Sequence, residues 1–414
     1  MSSKFPQQSH TPAQTIHHSY SMVWIALLGM LTALGPLSID MYLPALPSMA
    51  HQFGVSTGAI STTLPAYFCG LAIGQLIYGP VSDRFGRKPP LYFGLTLFTL
   101  ASIACIFAAG LEQMQIARII QALGGCVGMV IVRAAIRDRL SPAQSAKAFS
   151  SMVLIMGIAP ILAPLLGGWL LIHFSWHSIF TMLAAVGFIS LVAIHFGFKE
   201  TLHQEKRQTL NLKNVFVTYG RLLKDASFRT PALVGSFSYA AMFSYIGAAS
   251  ALLIDHFGVL PQNFGWYFGV NALGVIGMSQ VNGRLVGRFH ILQLLHAGVI
   301  LQTISGLWLL GLAVTGLATL PLVMIGLFGV VAAVGLTGAN GNALALSQQG
   351  HRAGSASALQ GALQFALSLV MGLVVHGLMF SILANLALVI VTCAFMSFGF
   401  VTLIIMKNKR LAML

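Results

Sequence analysis

Long apolar runs separated by short polar stretches make up most of this chain from residue 22 to residue 406. A helix needs about 20 apolar residues to cross the hydrocarbon core of a bilayer. Runs of that length predict twelve spanning helices. They lie near residues 22–44, 57–80, 90–110, 112–134, 147–171, 176–197, 231–254, 264–284, 291–312, 317–346, 354–378 and 381–406.

The spans fall into two groups of six on either side of a polar, charged segment. The predicted fold is therefore an all-α membrane protein with twelve transmembrane helices in two pseudo-symmetric six-helix halves. Its predicted parts are a tail over 1–21, a first bundle over 22–197, a central loop over 198–230, a second bundle over 231–406 and a tail over 407–414.

An internal repeat supports the two halves. Residues 79–88, after the second span, form a short turn rich in Gly and Arg, and residues 282–288 form a similar turn after the eighth span. Two corresponding halves imply a substrate path between them near the middle of the membrane.

Composition excludes a soluble protein. The chain is 57% hydrophobic and 7% charged, whereas soluble domains carry about 25% charged residues. The four cysteines lie in apolar runs without the spacing of a metal site, which indicates reduced core residues. The first apolar run has no small-residue cleavage site, so we interpret it as a spanning helix and not as a signal peptide.

The basic residues predict the orientation. If the N-terminus is cytoplasmic, all of the 22 Lys and Arg residues except Arg118 fall in cytoplasmic segments or at cytoplasmic ends of spans. The positive-inside rule then places both termini in the cytoplasm. The net charge of +14 thus indicates topology and contact with anionic lipid, not nucleic-acid binding.

Arg118 is the exception, because it lies within the fourth span. An arginine at that depth must face the protein interior or a water-filled cavity. Of the eight acidic residues, Asp40 in the first span is the one left as a partner inside the membrane. Two interpretations stay open: Asp40 gains and loses a proton under the influence of Arg118, or the two form a static ion pair that fixes helix packing.

The fifth span carries small residues at every fourth position, Ala159, Ala163 and Gly167, which predicts a close-packing stripe. Pro160 and Pro164 predict a bend in the same helix. The stripe fits ordinary tight packing as well as a hinge-like contact between the two halves.

Aromatic, methionine and amide side chains on several spans are candidates for a substrate site, because apolar walls with few polar groups suit moderately hydrophobic small molecules. Each could equally serve in helix packing. The candidates are Tyr42, Tyr67, Phe237, Tyr239, Met242, Phe243, Asn271, Asn340 and Gln364.

Other classes of protein fit less well. The sequence shows no nucleophile–base pair and no metal-ligand constellation, so we expect neither an enzyme nor a metal site. A channel or a receptor would not need Asp40 and Arg118 buried together, nor two equivalent halves.

Several stretches resemble family signatures. The turn GPVSDRFGRK over 79–88 resembles the loop signature of the major facilitator superfamily, and RIIQALG over 118–124 is similar to its fourth-helix motif. APLLGG over 163–168 resembles the fifth-helix motif of its drug/proton antiporters, with Ala163 where that motif has Gly. Residues 38–47, 75–80, 174–180 and 199–202 are similar to the bicyclomycin/chloramphenicol-resistance (Bcr/CflA) subfamily.

The resemblance implies an exporter of bicyclomycin- or chloramphenicol-like drugs in the bacterial inner membrane, driven by proton influx and without a cofactor. It implies that Asp40 carries the proton and that Arg118 modulates it. It assigns gating to Gly79, Asp83, Arg84, Gly86, Arg87, Lys88 and Asp138. Two alternatives stay open for each acid: Asp83 pairs with Arg87 or accepts from a helix N-terminus, and Asp138 pairs with Arg87 or with Arg84. The antiporter motif covers Gly157, Ala159, Pro160, Ala163, Pro164, Gly167 and Gly168.

The expected partners are a small drug, protons and the lipid bilayer, with no nucleic acid, and a monomer suffices. An alternative function is proton-linked transport of a small metabolite such as a sugar, nucleoside or amino-acid derivative, because the direction of transport does not follow from the helices.

Overall fold

The computed structural model describes residues 22–207 and 212–412, and the regular structure in these residues is helical. The predicted N-terminal tail over 1–21 lies outside them. In chain order the α-helices are α1 (Met22–Asp40), α2 (Leu46–Phe53), α3 (Thr57–Ser61), α4 (Thr63–Phe85), α5 (Lys88–Ile106), α6 (Leu111–Arg139), α7 (Pro142–His173), α8 (His177–Gly197), α9 (Leu212–Lys224), α10 (Ala226–Ser250), α11 (Pro261–Leu285), α12 (Ile291–Thr315), α13 (Leu320–Leu346), α14 (Ala353–Gly377) and α15 (Ile382–Ala412).

The twelve predicted spans correspond to the long helices of the described residues, α1, α4–α8 and α10–α15. Eleven of them are long and apolar enough to cross a membrane. The exception is α11, which has the length of a span but contains the polar residues Gln262, Asn263, Asn271, Gln280 and Asn282. The all-α, twelve-helix fold is confirmed.

The first span differs from the prediction, because it is not one helix. The helix α1 ends at Asp40, and the chain continues through a 3₁₀ turn (Leu43–Ala45) into α2. Pro44 explains the break: proline has no N–H to donate, and its ring would clash with the carbonyl group four residues earlier, at Asp40. The carboxylate of the first span therefore lies at the end of a helix.

The halves consist of α1–α8 and α10–α15, and several sets of elements join them. The helix α4 packs on α14, α7 packs on α11, and the 3₁₀ turn packs on α10 and α11. We call the end of the bundle that carries residues 84–88, 133–139 and 284–288 the basic end.

The predicted internal repeat is visible in the backbone. Gly86 follows α4 with φ +92°, and Gly287 follows α11 with φ +93°. A residue with a side chain rarely adopts this conformation. Each half therefore makes the same kind of turn at the basic end, as the pseudo-symmetry predicts.

The polar segment between the halves contains α9, which contacts both of them at the basic end. The side chain of Leu222 is buried in a cluster with Phe228 of α10 and Leu359 of α14. The Tyr219 hydroxyl donates to the carbonyl oxygen of Leu76 in α4 at 3.0 Å. The second half begins at Ala226, within the predicted central loop, because Asp225 caps α10 through the Ser227 N–H at 2.9 Å.

Candidate functional site

Arg118 of α6 is fully buried and lies between two aromatic rings. Its guanidinium carbon is 4.2 Å from the ring centre of Tyr42 and 4.3 Å from that of Tyr67. A desolvated cation over an aromatic face gains about 2 kcal/mol. Two predicted substrate residues therefore form the walls around Arg118.

Polar contacts fix the guanidinium in the plane between the rings. Nη1 donates to Gln121 Oε1 at 2.6 Å, and Nη2 donates to the carbonyl oxygen of Ser38 at 2.7 Å. Gln121 Nε2 in turn donates to Ser102 Oγ at 2.8 Å. The carbonyl of Ser38 belongs to the last turn of α1, where free carbonyl groups and the helix dipole favour a cation.

Asp40 is the last residue of α1 and is 3% exposed. Its Oδ1 has no hydrogen-bond partner in the part of the chain that the structure describes. The Tyr245 side chain of α10 interacts electrostatically with this carboxyl group, and Asn271 Nδ2 of α11 donates to the Tyr245 hydroxyl at 2.7 Å. A carboxyl group from the first half thus lies within electrostatic range of a polar pair from the second.

The predicted Asp40–Arg118 pair is absent, and the static ion-pair interpretation is wrong for this conformation. The ion pairs found among the described residues are Arg87–Asp83 and Arg87–Asp138. Because α1 breaks after Asp40, the free carbonyl of Ser38 takes the place of the carboxylate beside Arg118.

A cluster of aromatic rings joins the halves next to this site. Phe68 of α4 lies 4.7 Å from Phe243 of α10 and 6.1 Å from Phe365 of α14, measured between ring centres. Phe243 also stacks on Tyr239 at 6.2 Å. Among the predicted substrate residues, Tyr239 and Phe243 belong to this cluster, and the half-buried Met242 precedes Phe243 on α10.

Other predicted substrate residues lie within the second half. Phe237 stacks on Phe400 of α15 at 6.1 Å, Asn340 donates to Asn282 at 2.7 Å, and Gln364 donates to Asn342 at 3.3 Å. Each of these contacts joins two elements of the same half. The alternative of helix packing therefore fits Phe237 and Asn340 better than substrate contact.

Arg87 forms the centre of a charged network at the basic end. Nη1 donates to Asp83 at 2.6 Å and to Ser82 Oγ at 2.8 Å, while Nε donates to Asp138 at 2.8 Å. Burial alone would lower the pKa of Arg87, but the hydrogen bonds and negative charges of Asp138 and Asp83 outweigh it and raise that pKa. The predicted contacts of Arg87 are present and connect α4, α6 and the start of α5 within the first half.

Glu200 completes this network from the segment after α8. Its Oε1 accepts from the backbone N–H of Arg87 at 2.9 Å, and its Oε2 accepts from that of Lys88 at 3.0 Å. The carboxylate therefore caps the start of α5, where the helix dipole favours an anion. Gly86 leaves it room, since a Cβ there would lie 2.5 Å from Glu200 Oε2.

The remaining residues of the turn point elsewhere. Arg84 is exposed, and its guanidinium lies over the ring of Phe85 at 5.7 Å. Lys88 donates to the carbonyl oxygen of His195 in α8 at 3.3 Å. A Cβ added to Gly79 would have no neighbouring atom within 4 Å. Arg84 and Lys88 thus lie outside the Arg87 network.

The small-residue stripe of α7 packs on the first half. A Cβ on Gly167 would lie 1.8 Å from the carbonyl oxygen of Met41, just after the break in α1. Ala159 and Ala163 on the same stripe are buried, and both Pro160 and Pro164 lie inside the helix. Through this stripe, α7 packs against the segment that carries Asp40.

A second side of α7 contacts the other half. A Cβ on Gly168 would lie 3.1 Å from the carbonyl oxygen of Pro261, and one on Gly157 would lie 3.3 Å from Ile276. Pro261 and Ile276 belong to α11 of the second half. Together with the contact between Gly167 and Met41, these contacts show that α7 packs on both halves. Pro164, beside the stripe, is buried.

Two openings differ in character. A groove of about 360 Å³ between α4 and α5 is lined by apolar side chains such as Phe85 and Phe93, which are exposed on the outer surface of the bundle, so it suits lipid contact. A cleft of about 90 Å³ opens between the halves at the basic end. At the opposite end the halves touch, since Ser250 Oγ donates to the carbonyl oxygen of Leu43.

The sequence did not predict a role for Gln121, Ser102 or Glu200. Gln121 and Glu200 lie in the recognised motifs, so the resemblance was a signal for both. Nothing in the sequence distinguishes Ser102 from other serines in spans, because its role depends on the packing of α5 against α6.

Sequence similarity to curated relatives covers most of the chain. It is 39% identical over 345 residues to the "Uncharacterized MFS-type transporter YdgK" of Bacillus subtilis (strain 168), covering 82% of this chain and 85% of the relative. It is 30% identical over 380 residues to the "Bicyclomycin resistance protein homolog" of Haemophilus influenzae, covering 91% and 94%.

Solved structures share the fold. A D-xylose–proton symporter superposes with a TM-score of 0.71 at 16% identity, covering 91% of this chain and 96% of that one. A bacterial homologue of the lysosomal transporter Spinster, in an inward-facing conformation, superposes with a TM-score of 0.67 at 14% identity, covering 93% and 97%. Identities this low show the fold and nothing about the substrate.

The family model described as Major Facilitator Superfamily matches residues 28–373. Its members are transporters, so the prediction that this chain is not an enzyme is confirmed. The chain is therefore a multi-pass membrane transporter that belongs to the major facilitator superfamily and, within it, to the bicyclomycin/chloramphenicol-resistance subfamily.

Proposed function

We propose that this protein exports small, moderately hydrophobic drugs across the bacterial inner membrane in exchange for protons, by alternating access. The observation that carries the proposal is the buried Asp40 carboxyl group, which has an oxygen without a hydrogen-bond partner among the described residues and lies within electrostatic range of Tyr245 in the opposite half. An intramembrane acid in such surroundings is a functional group by default.

The position of Asp40 suits a group that exchanges protons during transport. The carboxyl group lies where the first half meets α10 and α11, so its surroundings change when the halves move apart. A proton that binds in one conformation and leaves in the other couples the two fluxes, provided that its affinity differs between them. Each proton that enters contributes about 2.3 kcal/mol per 100 mV of membrane potential.

Arg118 supports this role from the other side of the α1 terminus. Its positive charge is held beside Ser38, two residues before Asp40. In the cycle that we propose, the approach of this charge to the carboxyl group in another conformation favours release of the proton. The proton gradient is the energy source that we infer, with no cofactor, and the path between the halves is complete in one monomer.

The basic end faces the cytoplasm in this proposal, with both termini on that side, as the distribution of Lys and Arg predicts. The cleft at the basic end then opens to the cytoplasm, and the contacts around Leu43 close the path toward the periplasm. This arrangement suits a transporter that collects its substrate from inside the cell.

The decisive experiment measures proton movement in proteoliposomes after addition of chloramphenicol or bicyclomycin. We expect drug-dependent proton flux in the wild type, none in Asp40→Asn, and retained drug binding in that variant. Asp255→Asn is the matched control, because Asp255 is an exposed acid, and its flux should equal that of the wild type.

Two results would contradict the proposal. Unchanged proton flux in Asp40→Asn would show that another group carries the proton. A wild type that moves no protons with either drug would favour the alternative of metabolite transport, which the same liposomes test with sugars, nucleosides and amino acids.

A further inference from the structure

The cleft between the halves at the basic end carries an excess of positive charge. Arg133 and Arg137 of α6 line it together with Arg87 and a single acid, Asp83. Both Arg133 and Arg137 are exposed to solvent, although they lie between the halves. The cleft is therefore a water-accessible, basic site that belongs to neither half alone.

In the part of the chain that the structure describes, neither Arg133 nor Arg137 forms an ion pair with an acid. They are four residues apart on α6, so their charges face the same side and repel each other. The ion pairs among the described residues involve Arg87, whose guanidinium engages both Asp83 and Asp138. The acid that shares the cleft is thus already neutralised, and the two guanidinium groups keep free donors toward the opening.

The opposite wall of the cleft also favours an anion. It consists of the first turn of α14, including Gly354, Ser355 and Ser357. The side chain of the N-cap residue Arg352 makes no capping hydrogen bond. The first turn of α14 therefore brings the positive end of its dipole and two serine residues to the lining of the cleft. Gln75 and Tyr219 add further polar groups to the same lining.

Membrane topology alone does not explain this arrangement. Arg139, on the same helix end, lies over the ring of Trp24 at 5.3 Å and is not part of the cleft lining. An arginine that served only to fix orientation could face the outer surface equally well. Arg133 and Arg137 instead point into the path between the halves.

We propose that Arg133, Arg137 and the start of α14 form an anion-binding site for a small organic solute that carries a carboxylate or phosphate group. The volume of about 90 Å³ holds such a group, whereas sites for whole drugs start at about 300 Å³. The site therefore holds the charged end of a solute that extends toward the central aromatic cluster. Its role as the cytoplasmic mouth of the path rests on the proposed function, whereas binding itself does not.

The test compares two fluorescent probes, dansylglycine and its neutral amide, which share one body and differ by one negative charge. Affinities are measured for the full chain in phosphatidylcholine nanodiscs, with empty discs as the blank. We expect the wild type to bind dansylglycine about tenfold more tightly than the amide. A difference of this size corresponds to the contribution of one hydrogen bond to a charged group. High salt should remove this preference.

Charge-removing variants locate the site. Arg133→Gln and Arg137→Gln should each lose most of the preference, with unchanged affinity for the amide as proof of folding. Arg133→Lys should keep part of it, and Arg139→Gln should keep all of it. Equal affinity of the wild type for both probes, or an equal loss of preference in Arg139→Gln, would overturn the site.

Two further comparisons distinguish a soluble solute from a lipid headgroup and the anion site from the proposed function. If the wild-type preference persists in discs containing phosphatidylglycerol, the site takes a soluble solute. If it disappears there, a lipid headgroup occupies the cleft and the assignment to a solute is overturned. A wild type that prefers dansylglycine but moves no protons with drugs overturns the proposed function and not the anion site.

Discussion

At the scale of single residues, Arg118 depends on the shape of its side chain as much as on its charge. The guanidinium is flat between Tyr42 and Tyr67 and donates in two directions, to Ser38 and Gln121. A lysine ammonium is a compact, strongly hydrated charge and does not reproduce this geometry.

We therefore expect Arg118→Lys to reduce drug-driven proton flux at least tenfold, the equivalent of about 1.4 kcal/mol, and to lower the unfolding temperature. Proteoliposome transport and thermal unfolding in detergent measure both. Arg139→Lys is the control, since Arg139 lies over a single ring. Equal activity of Arg118→Lys and wild type would mean that charge alone suffices.

Glu200 predicts a dependence of stability on pH. Burial alone would raise its pKa, but the backbone N–H groups of Leu202, Arg87, Lys88 and Thr201 outweigh burial and hold the pKa below its ordinary value of 4.5. A group whose pKa is lower in the folded state stabilises the fold fully above the unfolded value. The stabilisation is lost as the pH falls through the folded value.

Glu200→Gln should therefore lower the unfolding temperature at neutral pH, and the difference from wild type should shrink as the pH falls below about 4.5. The measurement is thermal unfolding in detergent across this range. Glu205→Gln is a control acid from the same segment. A difference that stays constant with pH would mean that the charge of Glu200 does not stabilise the fold.

At the scale of elements, the close approach of α7 to the end of α1 determines where Asp40 lies. A Cβ on Gly167 would meet the backbone oxygen of Met41 at 1.8 Å, and a backbone atom cannot move aside as a flexible side chain would. Overpacking of this kind costs about 1–3 kcal/mol.

Gly167→Ala should therefore lower the unfolding temperature and weaken proton coupling, because it displaces the segment next to Asp40. Gly277→Ala in α11 is the matched control, with no atom within 4 Å of its Cβ, and should be neutral or slightly stabilising. If both variants unfold at the same temperature, the contact with Met41 is not tight in solution.

The same elements show what sequence could and could not predict. Hydrophobic runs and the basic residues predict the helices and the halves, because membrane thickness and lipid charge act on each segment separately. The stripe of α7 predicts close packing. Its partner is the backbone carbonyl of Met41, which becomes accessible to α7 only because the helix breaks before Pro44. Arg118 is likewise predicted to need a partner, yet the Ser38 carbonyl becomes available only when α1 ends.

At the scale of the whole molecule, contacts at the end opposite the basic end hold the halves together. A Cβ on Gly372 of α14 would lie 2.9 Å from Pro65 of α4, and Ser250 bonds to Leu43 nearby. A large side chain at Gly372 should therefore favour a conformation in which this end is open.

Spin labels at Glu112 and Leu317, exposed positions at this end, would report the change as a longer distance in Gly372→Leu than in wild type. A destabilisation of the closed form by about 1–3 kcal/mol corresponds to a shift of roughly five- to 150-fold in the ratio of the two populations. Gly377→Leu is the control, because Gly377 has no atom within 4 Å of its Cβ. Identical distances in all three proteins would exclude this closing contact.

The π-faces and carbonyl oxygen around Arg118 have an electrical consequence. They stabilise its charge without cancelling it, so α6 carries a full elementary charge inside the membrane dielectric. When rocking of the first half moves that charge along the membrane normal, the transmembrane voltage does work on the helix itself, up to about 2.3 kcal/mol per 100 mV for a complete crossing. The voltage then biases the conformational equilibrium directly, as a gating charge, in addition to any force that it exerts on the transported proton.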